Sequence, residues 1–465
     1  MYARAYVPGR NGDIMLVPER GVVIANAPAA ARFMHGSPWD YDTHVPLVFY
    51  GPPFIPKGVS NEPAALQDIA PTIALLLGIQ PPPSMTGRPL RPAANSTATP
   101  PRLIFLTVLD GMRFDYFDRY ASVMPTLTHL RHQGIWFSQA YVNYAPSNTS
   151  PAHAAIGTGT DPRINGVSTN SALDGSTIVS AGTRPVPSPH NLQVPTLADV
   201  WNLHTRGRAI IVGQGGVLNA AIGLVGHGLC MDGGQPVKLA SYDRATGLWG
   251  TIPECYILPD YLKGMNSRLL WESAGGRWMG HNVAGSDVIT QSALFARFEV
   301  DSLLAIVEHE SFGSDEVPDL LLANIKTPDF VGHQFGPESS EMRETLIELD
   351  GQFAAVLEAL DKKVGRDRYV VIITADHGMP SPPEELGHRT YSAGEIVELL
   401  NRKFAPTTGD LVLRYRADDH QLFLNAARLR ELRLAPRQIA DFLEAQPFIF
   451  SAYTAEEVRS VTFPP

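Results

Sequence analysis

Five short runs of apolar residues along the chain lack the polar alternation of a strand with one face in water. They read VPLVFYG, LIFLTVL, AIIVG, DLLLANI and YVVIIT, beginning at residues 45, 103, 209, 319 and 369. Continuous runs of Val, Ile and Leu of this length are typical of strands buried on both faces, as in a parallel sheet covered by helices. The pattern therefore predicts an α/β fold with a mostly parallel central sheet and helices on both faces.

Two other stretches predict helices. Residues 342–363 carry Leu, Phe and Val at the three- and four-residue spacing of an amphipathic helix. Residues 64–78 predict a second helix, with Pro71 near its start and Gly78 at its end. Residues 81–101 are rich in Pro and poor in large apolar side chains, which indicates a linker.

The composition is that of an ordinary globular protein. The 465 residues include 37 Lys and Arg and 47 Asp and Glu, a formal net charge of -10, and 44% are hydrophobic. Because no long basic run accompanies this charge, specific nucleic-acid binding is not expected. No run of about 18 apolar residues occurs, so we expect no membrane-spanning helix. An acidic surface repels phosphate at long range, so a phosphate site would need its own local positive charge.

The cysteine content and the N-terminal residues bear on the cellular compartment of the protein. Cys230 and Cys255 are too few for a disulfide framework; one bridge is an alternative, and two unreactive thiols are the favoured interpretation. The opening YARAYVPGRNGD lacks the pattern of a signal peptide. We therefore expect either a cytoplasmic protein or a mature periplasmic or secreted form whose leader has been removed. Nothing in the sequence indicates the oligomeric state.

Acidic and histidine side chains follow three of the apolar runs where each strand would end. They are Asp110 after the second run, Asp329 and His333 after the fourth, and Asp376 and His377 after the fifth. Functional groups collect beyond the carboxyl ends of parallel strands, so we expect these side chains to gather. Carboxylates and imidazoles are ligands that zinc accepts. Two such ions about 3.5–4 Å apart would form a clamp for displacement at phosphorus.

A two-metal clamp needs roughly six or seven protein ligands, and Thr149, in the segment NTSPAH, would be the sixth. Each group also has a simpler interpretation when taken alone. Asp110 could cap a helix, the ADHG segment that contains Asp376 could be a turn, and Thr149 could bond only to backbone. His153 fits a structural histidine better than a metal ligand. The set as a whole, at successive strand ends, favours a metal site.

The segments LIFLTVLDGMR, NTSPAHAAIGTGTDPRINGV, TPDFVGHQFGP and ITADHGM together resemble the alkaline phosphatase superfamily. They are most similar to its nucleotide pyrophosphatase/phosphodiesterase and phosphate-irrepressible alkaline phosphatase branch, over most of residues 102–390. The resemblance implies an alkaline phosphatase-like core and two zinc ions, with manganese as an alternative. It also implies hydrolysis of a small-molecule phosphate ester, which agrees with the absence of a membrane or nucleic-acid partner expected from the charge and the apolar runs.

The resemblance further implies roles for individual residues. Thr149, in a Thr-x-Pro-x-His pattern, would be the nucleophile and form a covalent phospho-threonine. Asn170, in GVSTN, corresponds to an asparagine that hydrogen-bonds a phosphoryl oxygen. One zinc would be bound by Asp110, Thr149, Asp376 and His377, and the other by Asp329, His333 and a histidine that in the family follows ADHG.

That last histidine is missing from its usual place. Only His388 and His420 follow ADHG, and neither resembles the family pattern of a His-Gly loop, then His-Val-Pro, then a strand. The pattern occurs instead at residues 34–51, as MHGSPWDYDTHVPLVFYG. The resemblance therefore implies that His35 completes the second zinc site, and that His44 packs or hydrogen-bonds beneath it.

The displaced pattern predicts a circularly permuted chain, natural or engineered. Residues 1–80 resemble the C-terminal part of the family core, and residues 102–465 resemble everything before it, with a probable cap insertion around 228–300. Residues 81–101 would then link the two ancestral ends. Permutation is tolerated where the old ends lie close together on the surface, so the present ends, Met1 and Pro465, should lie close together as well.

Two positions bear on the substrate. Monoesterases of the family place a Lys and an Arg two residues apart before an Ala-Gly-His turn, and the matching segment GQGGVLNAAIGLVGHG has Val217 and Asn219 there. A monoester dianion would lose charge-assisted hydrogen bonds of about 1.5–3 kcal/mol each. We therefore expect a preference for phosphodiesters, unless a cation such as Arg163 substitutes.

Other activities remain as alternatives. A phosphomonoesterase and a promiscuous phosphonate or sulfate ester hydrolase belong to the same superfamily. A cofactor-independent mutase is less favoured because of the Thr-x-Pro-x-His pattern at Thr149. A metal-stabilised binding protein without turnover is less favoured because Thr149 and the ligand set are intact.

Overall fold

The computed structural model describes residues 1–26, 33–93, 99–170, 187–407 and 410–462. Within these residues a nine-stranded sheet passes through the largest hydrophobic core. The α/β fold class predicted from the apolar runs is confirmed.

The five predicted strands lie side by side in the middle of this sheet. The strand order is Leu248–Gly250, Lys238–Asp243, Ile211–Gly215, Asp319–Ile325, Leu103–Leu109, Tyr369–Thr374, Leu47–Tyr50, Ile135–Phe137 and Gly58–Ser60. Leu103–Leu109 is parallel to both of its neighbours. Leu47–Tyr50 is antiparallel to both of its own, unlike the parallel strands that its sequence resembles. A run of apolar residues reports burial on both faces, and burial does not depend on strand direction.

Helices cover the sheet. The predicted helix over residues 342–363 is confirmed as Ser340–Lys363, where the Ser339 hydroxyl accepts a hydrogen bond from the Met342 amide. The helix predicted over residues 64–78 is confirmed only for Ile69–Leu76, because Ala64–Ala65 pairs as a strand with Ala140–Tyr141 and a 3-10 turn, Leu66–Asp68, follows it. The other helices before residue 390 that have at least six residues are Pro125–Gln133, Thr149–Thr158, Leu197–Thr205, Leu218–Val225, Arg268–Ser273, Ala293–His309 and Thr327–Phe335. Shorter helical turns are Tyr2–Ala5, Asp40–Thr43, Tyr116–Arg119 and Pro162–Asn165.

A second, four-stranded sheet joins the beginning of the chain to its end. Its order is Val412–Arg416, Gln421–Leu424, Ile14–Pro18 and Ile449–Thr454, and every pair is antiparallel. The helices beside it in sequence are Ala393–Phe404, Ala426–Leu432, Pro436–Glu444 and Ala455–Ser460. These strands, which the sequence did not predict, enclose a hydrophobic cluster of their own.

The two ends of the described chain meet beside this sheet. The N-terminal helical turn Tyr2–Ala5 packs against the last helix, where Tyr2 and Val458 belong to one buried cluster. The rings of Tyr2 and Tyr453 are 5.9 Å apart. The predicted closeness of Met1 and Pro465 can be followed only as far as these contacts, because Pro465 lies outside the described residues.

Part of the predicted linker packs on the main core. Leu90 and Ala93 are buried, and the Arg88 amide donates to Asp68 at 2.7 Å. Residues 94–98, where the predicted linker continues, lie outside the described residues. In the segment 228–300, strands Lys238–Asp243 and Leu248–Gly250 extend the main sheet at one edge.

Cys230 and Cys255 form a disulfide, with Cα atoms 4.9 Å apart. The favoured interpretation of two thiols is therefore wrong. The Leu229 amide donates to the Cys255 carbonyl at 2.9 Å, so backbone pairing already brings the two loops together. A pairing between loops 25 residues apart carries no periodic signal in the sequence. The helices among the described residues are all too short or too polar to cross a membrane.

Candidate metal centre and nucleophile

The side chains predicted to bind metal gather at the carboxyl edge of the main sheet. Asp110 directly follows strand Leu103–Leu109. Asp376 and His377 follow the neighbouring strand Tyr369–Thr374 after a single residue. Six of the seven predicted ligands are buried, and the seventh, His333, is partly exposed.

The helix Thr327–Phe335 brings two more of the candidates to this edge. Asp329 lies in its first turn, and His333 is four residues later on the same face. The helix begins two residues after strand Asp319–Ile325 ends, so it starts next to Asp110. Sequence adjacency to a strand end was thus a sufficient signal for this part of the site.

Thr149 is the first residue of helix Thr149–Thr158 and is 4% exposed. The Ser150 amide donates to the side-chain oxygen of Asn170 at 2.9 Å, which fixes the orientation of the Asn170 side chain. Asn219 donates to the Ser150 hydroxyl. Asn170 and Asn219 therefore both lie beside the predicted nucleophile.

The loop that carries His35 is fixed against this helix. The Ser37 amide and hydroxyl donate to Asp42 at 2.9 and 2.6 Å, and the Ser147 hydroxyl donates to the Ser37 carbonyl at 2.9 Å. Gly36 has a φ of +111°, and a Cβ there would lie 2.8 Å from a backbone oxygen. The glycine next to His35 is therefore required by both its conformation and the close approach of the chain.

The three histidines of the predicted set have the same tautomer. The Nδ1 atoms of His35, His333 and His377 lie 3.1, 2.6 and 2.9 Å from backbone carbonyl oxygens. A carbonyl only accepts, so each Nδ1 carries the hydrogen, and when the ring is neutral each Nε2 presents a lone pair. These Nε2 atoms lie 3.6, 3.2 and 3.9 Å from Oδ1 of Asp329. Convergent imidazole lone pairs of this kind are typical of metal ligands.

The seven predicted ligands form two adjoining groups. One contains His35, Asp329 and His333. In the other, Nε2 of His377 lies 3.5 Å from Asp110, 3.3 Å from Asp376 and 3.5 Å from Oγ1 of Thr149. The structure thus brings together all seven residues assigned to the two ions, including His35 from the displaced segment. It also groups His153 with Asp110 and Asp376, and groups Asp110 with both Asp329 and His377.

Two buried oxygens test whether this cluster fits cations. Oδ1 of Asp329 and Oδ2 of Asp376 accept no hydrogen bond within the described part of the chain. A buried carboxylate oxygen without a partner is costly, and a metal ion beside the histidine lone pairs would satisfy it. The donor set therefore fits divalent ions with nitrogen and oxygen ligands.

The carboxylates perturb one another. Burial, together with the nearby Asp376, raises the pKa of Asp110 to about 7, and burial raises the pKa of Asp376 to about 6. Burial acts in the same direction on Asp329, but Lys326 and His333 outweigh it and hold its pKa well below the ordinary value. Cations in this cluster thus stabilise the ionised carboxylates.

Lys326 is the site residue that the sequence analysis missed. Its Nζ lies 2.7 Å from Asp110, 2.6 Å from Asp329 and 3.0 Å from Oγ1 of Thr149. Burial alone lowers the pKa of Lys326, but Asp110, Asp329 and Asp376 raise it above the ordinary value. The available signal was its position directly after an apolar run and three residues before Asp329.

His153 and His44 make structural contacts rather than metal-binding ones. His153 donates through Nδ1 to the Thr149 carbonyl at 2.8 Å and accepts through Nε2 from Asn324 at 2.9 Å, so neither nitrogen is left for a metal. His44 stacks between Phe114 and Tyr141, with ring distances of 3.6 and 4.4 Å. Both agree with the structural interpretation favoured from the sequence.

The chain matches the model of one protein family and is similar to several proteins of known activity. The family model for type I phosphodiesterase/nucleotide pyrophosphatase matches residues 104–444. The alkaline phosphatase PafA of Elizabethkingia meningoseptica is 24% identical over 439 residues, covering 80% of this chain and 79% of that protein. The alkaline phosphatase PhoV of Synechococcus elongatus is 22% identical over 428 residues, covering 79% and 76%.

A relative that matches over a shorter range and a solved structure are also similar to this chain. Ectonucleotide pyrophosphatase/phosphodiesterase family member 1 of Mus musculus is 25% identical over 284 residues, covering 60% of this chain and 24% of that protein. The crystal structure of PafA superposes with a TM-score of 0.66 at 22% identity, over 80% of this chain and 81% of that one. The shared fold is that of PafA.

Proposed function

The chain belongs to the type I phosphodiesterase/nucleotide pyrophosphatase family of the alkaline phosphatase superfamily, and from that membership we propose that it is a di-zinc phosphoric ester hydrolase that favours diesters. Its relatives are alkaline phosphatases and nucleotide pyrophosphatase/phosphodiesterases, which supports phosphate ester hydrolysis as the general activity.

One observation carries the proposal: three histidine Nε2 atoms, three buried carboxylates and one buried threonine hydroxyl converge at a single sheet edge. Bound zinc ions would supply positive charge for the transition state at phosphorus. The ligands would be His35, Asp329 and His333 for one ion, and Asp110, Thr149, Asp376 and His377 for the other.

The reaction would pass through Thr149. Its Oγ1 attacks phosphorus in line, so an Oγ–P bond forms while the bond from phosphorus to the leaving-group oxygen breaks. The proton lost by the Thr149 hydroxyl is balanced by one taken up by the leaving oxygen, which departs as the alcohol, and Thr149 is left esterified to the phosphoryl group, which for a diester keeps its second ester group. Water then attacks phosphorus, the bond from phosphorus to Oγ1 breaks, Oγ1 takes up a proton, and the product leaves as a phosphate monoester, or as inorganic phosphate from a monoester. Because Thr149 begins a ten-residue helix, the positive end of that helix faces the phosphoryl group.

Asn170 would orient the phosphoryl group. Its side-chain oxygen is used by the Ser150 amide, so its orientation is fixed and its amide nitrogen is the donor. A donor that is already in place when charge develops stabilises the transition state without reorganisation.

The diester preference rests on two neutral positions. Val217 directly precedes helix Leu218–Val225, and Asn219 in the first turn of that helix donates to the hydroxyl of Ser150, the residue after the predicted nucleophile. Neither carries the charge that would pair with the second negative charge of a monoester. Arg163, the substitute considered from the sequence, has Nε 3.9 Å from Asp161 and a side chain 37% exposed.

A phosphomonoesterase is the second candidate, because the relatives PafA and PhoV are both alkaline phosphatases. The ratio of kcat/KM for an aryl phosphodiester to that for the corresponding aryl monoester, measured on zinc-loaded protein, decides between them. A ratio above one supports the diesterase, and a ratio well below one supports the monoesterase.

Circular permutation is part of the proposal. The family model matches residues 104–444, so His35 lies outside the matched part of the chain although it faces Asp329. Strand Ile14–Pro18 lies between Gln421–Leu424 and Ile449–Thr454. A displaced segment that returns its histidine to the expected group supports a family core whose order has been rotated.

A further inference from the structure

We propose that Lys326 is a built-in cation of this site, which holds the position beside Thr149 until a metal ion displaces it. The inference rests on the metal site of the proposed function and adds a residue that the metal must compete with. It concerns metal loading, whereas the proposed function concerns the reaction of the loaded enzyme.

The contacts of Lys326 are with ligand atoms. Nζ donates to Asp110 at 2.7 Å and to Thr149 at 3.0 Å, both in one predicted ion-binding group. It also lies 2.6 Å from Oδ2 of Asp329, in the other group. One ammonium therefore engages all three of its hydrogen-bonding directions with oxygens that the family resemblance assigns to zinc.

Burial makes these contacts strong. The side chain of Lys326 is 6% exposed, and those of Asp110 and Asp329 are 0% and 2% exposed. Among the described residues, no other lysine or arginine forms an ion pair with Asp110, Asp329 or Asp376. Lys326 is thus the lysine or arginine that offsets the charge of these buried carboxylates.

The backbone explains why the side chain points into the site. The Lys326 amide donates to the buried carboxyl of Glu299 at 2.8 Å, and the Thr327 amide and hydroxyl donate to the same group. On the other side, a Cβ at Gly216 would lie 2.5 Å from Cβ of Lys326. Glu299 and the absence of a side chain at residue 216 fix the position from which Lys326 extends.

Competition follows from distance and charge. A zinc ion binds carboxylate oxygen at about 2.0–2.2 Å, so an ion on Asp110 and Thr149 would need the space that Nζ holds. Two cations that close together also repel each other. Metal binding beside Thr149 therefore requires Lys326 to give up Asp110 and Thr149, and the free energy of those contacts is subtracted from the metal affinity.

The test compares the full chain with the variants Lys326→Met and Lys326→Gln. Lys238→Met is the matched control. It removes a lysine whose Nζ lies 2.7 Å from a carboxylate oxygen of buried Glu310, and this ion pair is not part of the site. After chelation, zinc affinity and the number of zinc ions bound are measured by competition with a chelating dye at one pH. The unfolding temperature is recorded with and without zinc.

Both Lys326 variants should bind zinc about tenfold or more tightly than the wild type at the affected position. Their zinc-free forms should unfold roughly 5 °C lower, because three buried carboxylates lose their cation. Adding zinc should remove this difference in unfolding temperature, so the rise on adding zinc should be larger in the variants than in the wild type. Lys238→Met should leave zinc affinity unchanged. A wild type that binds one zinc where Lys326→Met binds two supports the same conclusion.

Equal zinc affinity in wild type and both variants, or weaker binding in the variants, would overturn the role of Lys326 while leaving the metal site standing. Zinc binding by none of the proteins would overturn the metal site and the competition with it. If Lys326→Met does not fold, the Gln variant, which keeps a polar donor, supplies the comparison.

Discussion

Nε2 of His35 lies 3.6 Å from Oδ1 of Asp329, and the Nδ1 hydrogen of the same ring is donated to the Ser147 carbonyl at 3.1 Å. The lone pair of His35 therefore points at a carboxylate that belongs to a distant part of the sequence. The ring also stacks on His377, with centroids 3.5 Å apart. A histidine held in this tautomer, against an unsatisfied buried oxygen, has the arrangement of a metal ligand.

His35→Ala should remove one of the two zinc ions. Loss of a direct ligand is expected to lower metal affinity by about 100-fold or more, since even a supporting residue costs about 10–100-fold. Elemental analysis of the purified variant would show close to one zinc per chain, and turnover would fall accordingly. His44→Ala is the control: it loses stacking on Phe114 and Tyr141, so it should unfold at a lower temperature yet keep both ions. Full zinc content in His35→Ala would remove His35 from the ligand set.

Thr149→Ala should lose turnover by about 1,000-fold or more, because the attacking oxygen is gone and only binding and electrostatic effects remain. Thr149→Ser keeps a hydroxyl and should retain a measurable part of the rate. Acid-quenched enzyme analysed by mass spectrometry should carry phosphate on residue 149 in the wild type and none in the Ala variant. Phosphate found on another residue, or full activity in Thr149→Ala, would contradict the covalent mechanism.

The sequence predicted those candidate site residues that directly follow a predicted strand. Asp110, Asp376 and His377 follow strands whose apolar runs are unbroken, so both their exposure to the site and their proximity could be inferred. His35 was found because its flanking glycine and the following strand form a recognisable segment. The structure gives the reason for that segment: Gly36 is in a conformation and at a distance that exclude a side chain.

What the sequence did not show depends on contacts between distant residues. The direction of Leu47–Tyr50 is not encoded in its burial, and strand Ile14–Pro18 pairs with strands from the other end of the chain. The sequence shows that a lysine follows the strand, but the direction of the Lys326 side chain is set by Glu299 and Gly216, which belong to two other parts of the fold. A lysine next to a strand end is otherwise a surface residue more often than a buried cation.

The neutral pair Val217 and Asn219 should control substrate preference. The double variant Val217→Lys, Asn219→Arg would give a monoester dianion two cationic partners, each worth about 1.5–3 kcal/mol, or roughly tenfold or more in rate. We expect the ratio of diester to monoester kcat/KM to fall by at least about 100-fold. Asn219→Ala removes the contact with Ser150 without adding charge, so the ratio should change little. An unchanged ratio in the double variant would show that these positions do not face the phosphoryl group.

The stability of the loop that carries His35 should depend on pH through Asp42. Burial raises the pKa of Asp42 from 3.8 to about 8, although two hydrogen bonds from Ser37 oppose this. Between about pH 4 and pH 8 the native carboxyl keeps a proton that the unfolded chain has released, so stability falls as pH rises through this range. Asn is neutral throughout, so Asp42→Asn should not show this loss.

Thermal unfolding with chelator present, at several values between pH 5.5 and 8.5, measures the effect. The unfolding temperature of Asp42→Asn relative to wild type should rise by roughly 5 °C across that range. Asp118→Asn is the control, because the Asp118 side chain is 69% exposed and its removal should give a profile parallel to that of the wild type. A parallel profile for Asp42→Asn as well would mean that Asp42 is ionised in the native protein.

Permutation makes a prediction about chain order. Tyr2 packs with Val458, so a short flexible linker can join residue 462 to residue 1 across a surface contact. Opening the chain between residues 93 and 99, within the predicted linker, would restore the order that the family resemblance implies. The rotated chain, residues 99–462 followed by 1–93, should fold, bind zinc and keep kcat within about twofold, because every contact of His35 is preserved.

A control chain uses the same linker but is opened inside helix Ser340–Lys363. It should give no folded protein, since that helix buries Leu346, Leu349 and Phe353 in the core. A rotated chain that fails to bind zinc would show that the segment before residue 93 requires its present connection, and the permutation proposal would be wrong.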